Sequence, residues 1–240
     1  MNKTGISWTD LTWNPVSGCS KVSPGCKHCY AEALSKRWGR SFDVTLHPEK
    51  LKEVRKIPSG SKVFVNSMSD LFHEKVPFEF LDDVMKAISS RKEVIFQVLT
   101  KRPNKVIEYI DYSSSPLPAN VWLGVSIEMR NYIERMYILG ENSRKIIPGE
   151  HFISFEPLIG DIGTVNLSGI SWAIIGGESG PHHRPMKIEW ARNIVRQAKE
   201  QGVAVWMKQL GGLRPGGDLE DFPEDLRIRE FPKEVINEQA

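Results

Sequence analysis

Cysteine is almost absent from this chain of 240 residues: there are three, all inside the short segment "CSKVSPGCKHC" that runs from Cys19 to Cys29. An odd, clustered set of thiols argues against a disulfide framework and, in a reducing compartment, points to metal binding or catalysis. Long hydrophobic runs are also missing. No segment approaches the roughly 18 apolar residues of a membrane span, and the opening "MNKTGISWTD" lacks the apolar stretch of a signal peptide. A soluble, cytoplasmic protein with no membrane partner is therefore expected. Nor is there an excess of either charge: 32 Lys and Arg face 30 Asp and Glu, a net charge of +2. No global field calls for nucleic acid, although a local basic face stays open. The chain has no internal repeat, no low-complexity tract and no linker rich enough to divide it, so residues 1–240 are read as one domain.

What is present is alternation. Short β-branched and apolar runs, "KVFVN" (62–66), "EVIFQVLT" (93–100), "NVWLGVSI" (120–127), "HFISFE" (151–156), "SWAIIGG" (171–177) and "VAVWMKQ" (203–209), read as buried strands. Helical spacing fills the intervals at 78–91, 104–112, "RNYIERMYILG" and 188–202, the last stopping at Gly202. In 78–91 the apolar face comprises Phe80, Leu81, Val84, Met85 and Ile88. Repeated strand–helix–strand units imply a parallel α/β sheet, as a partial (β/α)6-type barrel, a full TIM-like barrel or a doubly wound open sheet. The tail, about 211–240, is polar and punctuated by Pro and Gly; a small solvated hairpin is expected there.

The chain turns polar directly after nearly every strand: "NSMSD", "TKRP", "SIE", "FEP", "GGESG" and "KQLGG". Parallel α/β folds gather these carboxyl ends on one face and build sites there. The cysteine loop, about 18–30, follows "LTWNPV" and precedes a helix from Tyr30, which places it on the same face. Soft thiolates select zinc, copper(I) or iron–sulfur clusters. Zinc would need a fourth ligand, from His28, His47 or His73. An iron–sulfur cubane can take three cysteines and leave one iron open to chelate a small molecule. The spacing C-x6-C-x2-C suits either. Trp8 and Trp13, just before the loop, are read as packing that excludes water and oxygen.

These residues carry a resemblance. "ISWTDLTWNPVSGCSKVSPGCKHCYAEAL" resembles the opening of a phage and bacterial family of radical-SAM-like proteins of unknown function, distantly related to spore photoproduct lyase. The likeness continues through "FVNSMSDLF", "QVLTKRP", "VWLGVSIE", "SFEPLIG", "WAIIGGESG", "RPM" and "KQLGG", nearly the whole chain. It implies a barrel of the radical-SAM kind with a [4Fe-4S] cluster on Cys19, Cys26 and Cys29. It further implies S-adenosylmethionine on the open iron. Two features depart from the general radical-SAM pattern. Six residues, not the usual three, separate Cys19 from Cys26, and the place of the Gly-Gly-Glu motif reads "NSMSD". The "GGE" at Gly176–Glu178 follows a late strand instead.

The resemblance implies roles residue by residue. His28 stands where an aromatic residue borders the adenine, Ser67, Ser69 and Asp70 are candidates for the methionine ammonium, and Ser126 and Glu128 suit the ribose hydroxyls. Tyr30 is placed to cover the cluster or supply a hydrogen atom, unless it is simply a core residue at a helix start. With Glu178 and Lys208 it forms the candidate catalytic set. Lys101 and Arg102, with His182, His183 and Arg184, are cations on the expected active face and suit a phosphate-bearing substrate. Glu156 would contact substrate, or pair with Lys208.

The expected activity is reductive cleavage of S-adenosylmethionine to a 5′-deoxyadenosyl radical acting on a nucleic-acid base or nucleotide. It needs an external one-electron donor, flavodoxin- or ferredoxin-like, and leaves room for a separately encoded partner protein. The alternatives are a zinc-stabilised nucleic-acid-binding module without catalysis, and an iron–sulfur protein for electron transfer or sensing.

Overall fold

The computed structural model describes residues 2–146, 149–214 and 216–233. The chain opens with β1 (Asn2–Lys3), β2 (Leu11–Trp13) and β3 (Val16–Ser17), then the cysteine loop, α1 (Tyr30–Arg37) and β4 (Thr45–Leu46). There follow β5 (Lys62–Val65), α2 (Phe78–Ser89), β6 (Ile95–Thr100), α3 (Pro103–Ser113), β7 (Val121–Ser126), α4 (Glu134–Glu141), α5 (Ser143–Ile146) and β8 (His151–Phe155). The last elements are β9 (Trp172–Gly176), α6 (Ile188–Glu200) and β10 (Ala204–Gln209). The six strands and the main helices read from periodicity are all present, with ends shifted by a residue or two, except that the helix expected from Arg130 begins at Glu134 after a 3-10 turn over Arg130–Tyr132.

One sheet runs in the order β1-β2-β5-β6-β7-β8-β9-β10, parallel from β2 onward, with β1 antiparallel at the edge. Each new parallel strand joins the same edge, so the order never reverses as it does in a doubly wound sheet. Neither does β10 return to pair with β2, so full closure is not reached. The result is a curled half-barrel, the partial-barrel form of the expected architecture. β7, β8 and β9 are buried at every position, as a parallel sheet covered on both faces requires.

Strand alternation sorts the side chains into two cores. One lies under the helices and includes Val63, Val65, Phe96, Val98 and Leu123 with the apolar stripe of α2. Trp13 belongs there; its ring packs on Phe96 and its Nε1 donates to the Lys50 carbonyl at 3.0 Å. The other core is an aromatic floor inside the curl: Trp8, Phe64, Trp122, Phe152, Trp172 and Trp206, with Ile174. Both early tryptophans are thus buried packing. Above the floor the same inward-facing alternation reaches Lys101, Glu128, Glu156 and Lys208 at the rim.

The tail differs from the expected solvated hairpin. Two short 3-10 turns, Leu219–Asp221 and Glu224–Leu226, tuck Phe222 and Leu226 into the helix-side core. The chain then runs antiparallel along β10: Met207 N donates to Ile228 O and Glu230 N to Val205 O, both at 2.8 Å. Phe231 packs on Trp206 and Trp172, with ring centroids 4.7 and 5.3 Å apart. Apolar residues every few positions were hidden among the charges. They cover an edge that would otherwise present unpaired backbone groups. Residues 215 and 234–240 of the expected tail lie outside the described residues.

The floor supports the rim, and Trp172 sits at its centre, 5.6–6.1 Å in ring centroids from Trp8, Trp122, Phe152 and Trp206. Trp172→Ala should lower stability by about 3–5 kcal/mol. Trp38→Ala, at a ring 54% exposed, should stay within about 0.5 kcal/mol of the parent. Chemical denaturation midpoints check the contrast.

Candidate functional site

The cysteine loop is fastened by its backbone before any side chain is considered. Gly18 N donates to Met68 O at 3.1 Å and Cys19 N to Phe42 O at 3.0 Å. Gly18 has φ +79°, and a Cβ there would lie 2.1 Å from the Asp43 carbonyl oxygen, so only glycine suits the position. Pro24–Cys26 form a 3-10 turn, and Cys29 caps α1. The three free thiols line one cavity of about 300 Å³, bordered by Phe42 and Glu32. Among the described residues no three His, Cys, Asp or Glu side chains are gathered so that they could hold a metal ion.

Three buried carboxylates then tie the loop to the strand ends. Asp70, after β5, accepts from Thr100 Oγ1 at 2.7 Å, Phe72 N at 3.0 Å, Lys101 N at 3.0 Å and Arg102 at 2.9 Å. Arg102 in turn donates to Ser20, Glu74 and Cys19 Sγ. Glu128, after β7, accepts from Ser23 Oγ at 2.6 Å, from Arg135 at 3.1 Å and from Lys101 Nζ. Burial alone would raise its pKa, but Lys101 and Arg135 hold it below the usual carboxylate range. Gly25 rides over this carboxylate: a Cβ there would fall 2.3 Å from Glu128 Cγ. Glu178, after β9, accepts from His28 Nδ1 at 3.0 Å, Arg184 N at 2.8 Å and Arg184 Nε at 2.9 Å. Arg184 also donates to Pro24 O at 3.0 Å. Despite burial, these donors bring the Glu178 pKa down to about 2.

This geometry separates the expected site residues into two groups. Cys19, Cys26, Cys29, His28, Asp70, Lys101, Arg102, Glu128, Glu178 and Arg184 form one connected network around the loop. Ser67 and Ser69 border it; their hydroxyls donate to Asn14 Oδ1 at 3.2 Å and Val16 O at 3.0 Å. The Ser126 carbonyl accepts from Arg135 at 2.9 Å. Tyr30 lies between, its ring 48% exposed and its hydroxyl donating to Ser67 O. Glu156 and Lys208 stand apart as their own pair, 2.5 Å from oxygen to nitrogen. Of the cations expected to meet phosphate, Lys101, Arg102 and Arg184 are each neutralised by a carboxylate of the chain itself. His183 is held by the Gly180 carbonyl at 2.9 Å. Ser20, Ser23, Glu74 and Arg135 were not anticipated. The one signal for them in the sequence is the glycine in "SPGC", which marks a close approach to the loop.

Burial pushes the Cys19 thiol up to about 11, with Asp70 adding to the shift and Arg102 opposing it. Burial also raises Cys29. Such thiols hold their protons in the free protein and release them to a metal. The donor chemistry fits a [4Fe-4S] cluster: soft thiolates from the chain's only three cysteines share one cavity. A cubane needs one thiolate on each of separate irons, not three around one ion. The histidines near the loop each make a side-chain contact through at least one ring nitrogen. His73 Nε2 pairs with Ser20 Oγ and its Nδ1 accepts from Lys75 N; His47 Nε2 pairs with Ser17 Oγ; His28 pairs with Glu178.

Glu178→Ala should strip Arg184 and His28 of their shared partner and cost on the order of 1–3 kcal/mol. It should also hasten tryptic cleavage at the exposed Lys21 and Lys27; an unchanged cleavage rate would mean the loop is held by other contacts. A carboxylate with a lowered folded pKa stabilises fully above its unfolded value and loses that contribution as it protonates. The tether should therefore persist down to pH about 4.5 and disappear as pH falls toward about 2.

Solved structures of spore photoproduct lyase share the fold. One, a mutant with serine in place of a cysteine, superposes with a TM-score of 0.51 at 12% identity, covering 83% of this chain and 63% of that one. A second, complexed with dinucleoside spore photoproduct, gives 0.50 at the same identity and coverage. The chain thus spans 63% of the length of the structures it matches, and the likeness is one of fold, a partial α/β barrel. No curated protein matches the sequence. A family model, described as "Protein of unknown function (DUF5131)", matches residues 3–233, and the chain belongs to that family.

Proposed function

We propose that the chain is a radical S-adenosylmethionine enzyme whose [4Fe-4S] cluster is ligated by Cys19, Cys26 and Cys29. The observation that carries this reading is the convergence of the chain's only cysteines on one cavity at the strand-end rim of a half-barrel. With S-adenosylmethionine and an electron from a flavodoxin- or ferredoxin-like donor, the cluster would supply a 5′-deoxyadenosyl radical.

The chain's own residues supply position and exclusion. Asp70, Glu128 and Glu178 hold the loop in register with β5, β7 and β9. Ser67, Ser69 and Ser126 then serve as walls of the S-adenosylmethionine site, and His28, fixed by Glu178, borders it. The aromatic floor keeps water away from the rim from below. Tyr30, Glu156 and Lys208, each at least partly exposed, are read as the groups that meet substrate. A nucleic-acid base or nucleotide is the substrate reading, supported by the neighbour solved with a dinucleoside photoproduct. The internal pairing of Lys101, Arg102 and Arg184 gives a phosphate clamp no support. The zinc reading lacks a gathered ligand set: among the described residues no three His, Cys, Asp or Glu side chains are placed to hold a single ion.

Anaerobic reconstitution with iron and sulfide tests the proposal. The wild type should gain the visible absorption of a cluster and, with dithionite and S-adenosylmethionine, release 5′-deoxyadenosine. Cys19→Ala, Cys26→Ala and Cys29→Ala should each lose nearly all bound iron and sulfide. A triple variant that kept a full cluster would sink the assignment.

A further inference from the structure

Among the described residues, one cation at the mouth of the barrel touches a thiol. Arg102 sits at the end of β6, 7% exposed. A guanidinium has five N–H donors in a rigid fork, and here each has an acceptor. Nε donates to Glu74 at 2.8 Å. Nη1 donates to Asp70 at 2.9 Å and to Cys19 Sγ at 3.7 Å. Nη2 donates to the Ser20 carbonyl at 3.2 Å and to Ser20 Oγ at 3.1 Å. The fork cannot swing away from the sulfur, because the partner that aims it is itself fixed. Asp70 is held by Thr100 Oγ1 and by the backbone N–H groups of Phe72 and Lys101. Thr100 Oγ1 also accepts from the Arg102 backbone N–H at 2.9 Å.

We propose that Arg102 is a positioning residue that aims a charged donor at Cys19 Sγ and thereby sets the reduction potential of the cluster this thiol ligates. The inference rests on the cluster reading given above. A cation or a hydrogen bond at a ligating sulfur draws electron density from the cluster and makes it easier to reduce. The contact is specific to one of the three thiols: Cys19 accepts from a guanidinium, while Cys26 pairs with Ser23 Oγ at 3.7 Å. A substrate clamp would leave donors unspent, and this fork has none to spare. A purely structural brace would need Asp70, Glu74 and Ser20, but not the sulfur.

Lysine keeps the charge at this position but offers a single nitrogen, which cannot satisfy Asp70 and reach Sγ along both arms. Arg102→Lys and Arg102→Gln, reconstituted anaerobically, should therefore show cluster midpoint potentials shifted to more negative values than wild type in spectroelectrochemical titration. Gln should shift further, because it also removes the charge. Glu74→Gln is the control: it removes a charge on the solvent side, where Glu74 is exposed, keeps an oxygen that can accept from Nε, and should leave the potential unchanged. Loading of the wild type is the separate check on the underlying reading; if it takes up no cluster, the cluster assignment itself fails. If wild type and variants load with the same potential, the assignment stands and the role of Arg102 is overturned. Should the Arg102 variants fail to load, wild-type protein carrying isotope-labelled arginine decides the question. Pulse electron paramagnetic resonance of its reduced cluster should detect a guanidinium nitrogen coupled to the spin in wild type and in Arg184→Lys alike. Absence of that coupling would overturn the proposal.

Discussion

A loop with three thiols, two glycines and few apolar side chains has almost no hydrophobic area with which to hold itself in place. Its position depends instead on three carboxylates placed directly after parallel strands. Asp70, Glu128 and Glu178 each bind a cation of the chain and, directly or through that cation, an atom of the loop. Burying these charges costs desolvation, and at Glu128 and Glu178 the donors more than offset it, since both carboxyls stay below the usual range. What they also supply is register. Displacing one partner leaves an uncompensated charge in a poorly solvated place, and the loop therefore has one favoured seat on the rim.

That seat is meaningful because the strands beneath it are in fixed order. A singly wound parallel sheet lines up its carboxyl ends, so residues far apart in the chain face one opening. The floor of Trp8, Phe64, Trp122, Phe152, Trp172 and Trp206 fills the curl below, and the carboxylates stand above it, where few waters compete for their lone pairs. Floor and rim are one device: apolar packing fixes the strands, and the strands fix the charges. The tail contributes from beneath, with Phe231 against Trp172 and Trp206 and the Trp172 Nε1 donating to Glu230 O at 2.8 Å.

Most of the fold was legible because it follows local periodicity. "VWLGVS" and "AIIG" read as strands buried on both faces and are so, and the stripe of α2 emerged at the positions read from spacing. What escaped was set by contacts of long reach. The tail looked solvated because Phe222, Leu226 and Phe231 are spaced among charges with no regular period. The rim was legible as a place but not as a circuit. Asp70 and Arg102 are 32 residues apart, and Lys101 and Glu128 are 27 apart. A cation after a strand reads the same whether it awaits a ligand or already has a carboxylate opposite. Glu178 and Arg184, six residues apart across one turn, were close enough to have been paired from sequence. The thiols needed no such reach, because their crowding is itself local.

The neutralised rim changes what recognition at this opening must depend on. A cleft lined by unpaired cations steers anions from a distance, whereas matched pairs cancel beyond a few ångströms and leave only short-range fields. A ligand at this mouth gains nothing from long-range attraction to Lys101, Arg102 or Arg184, whose charges are already met. Selection must then occur at contact distance, through shape, stacking and individual hydrogen bonds. The half-exposed ring of Tyr30, the tilted rings of His28 and His182 with centroids 6.2 Å apart, and the partly exposed pair of Glu156 and Lys208 are surfaces of that kind.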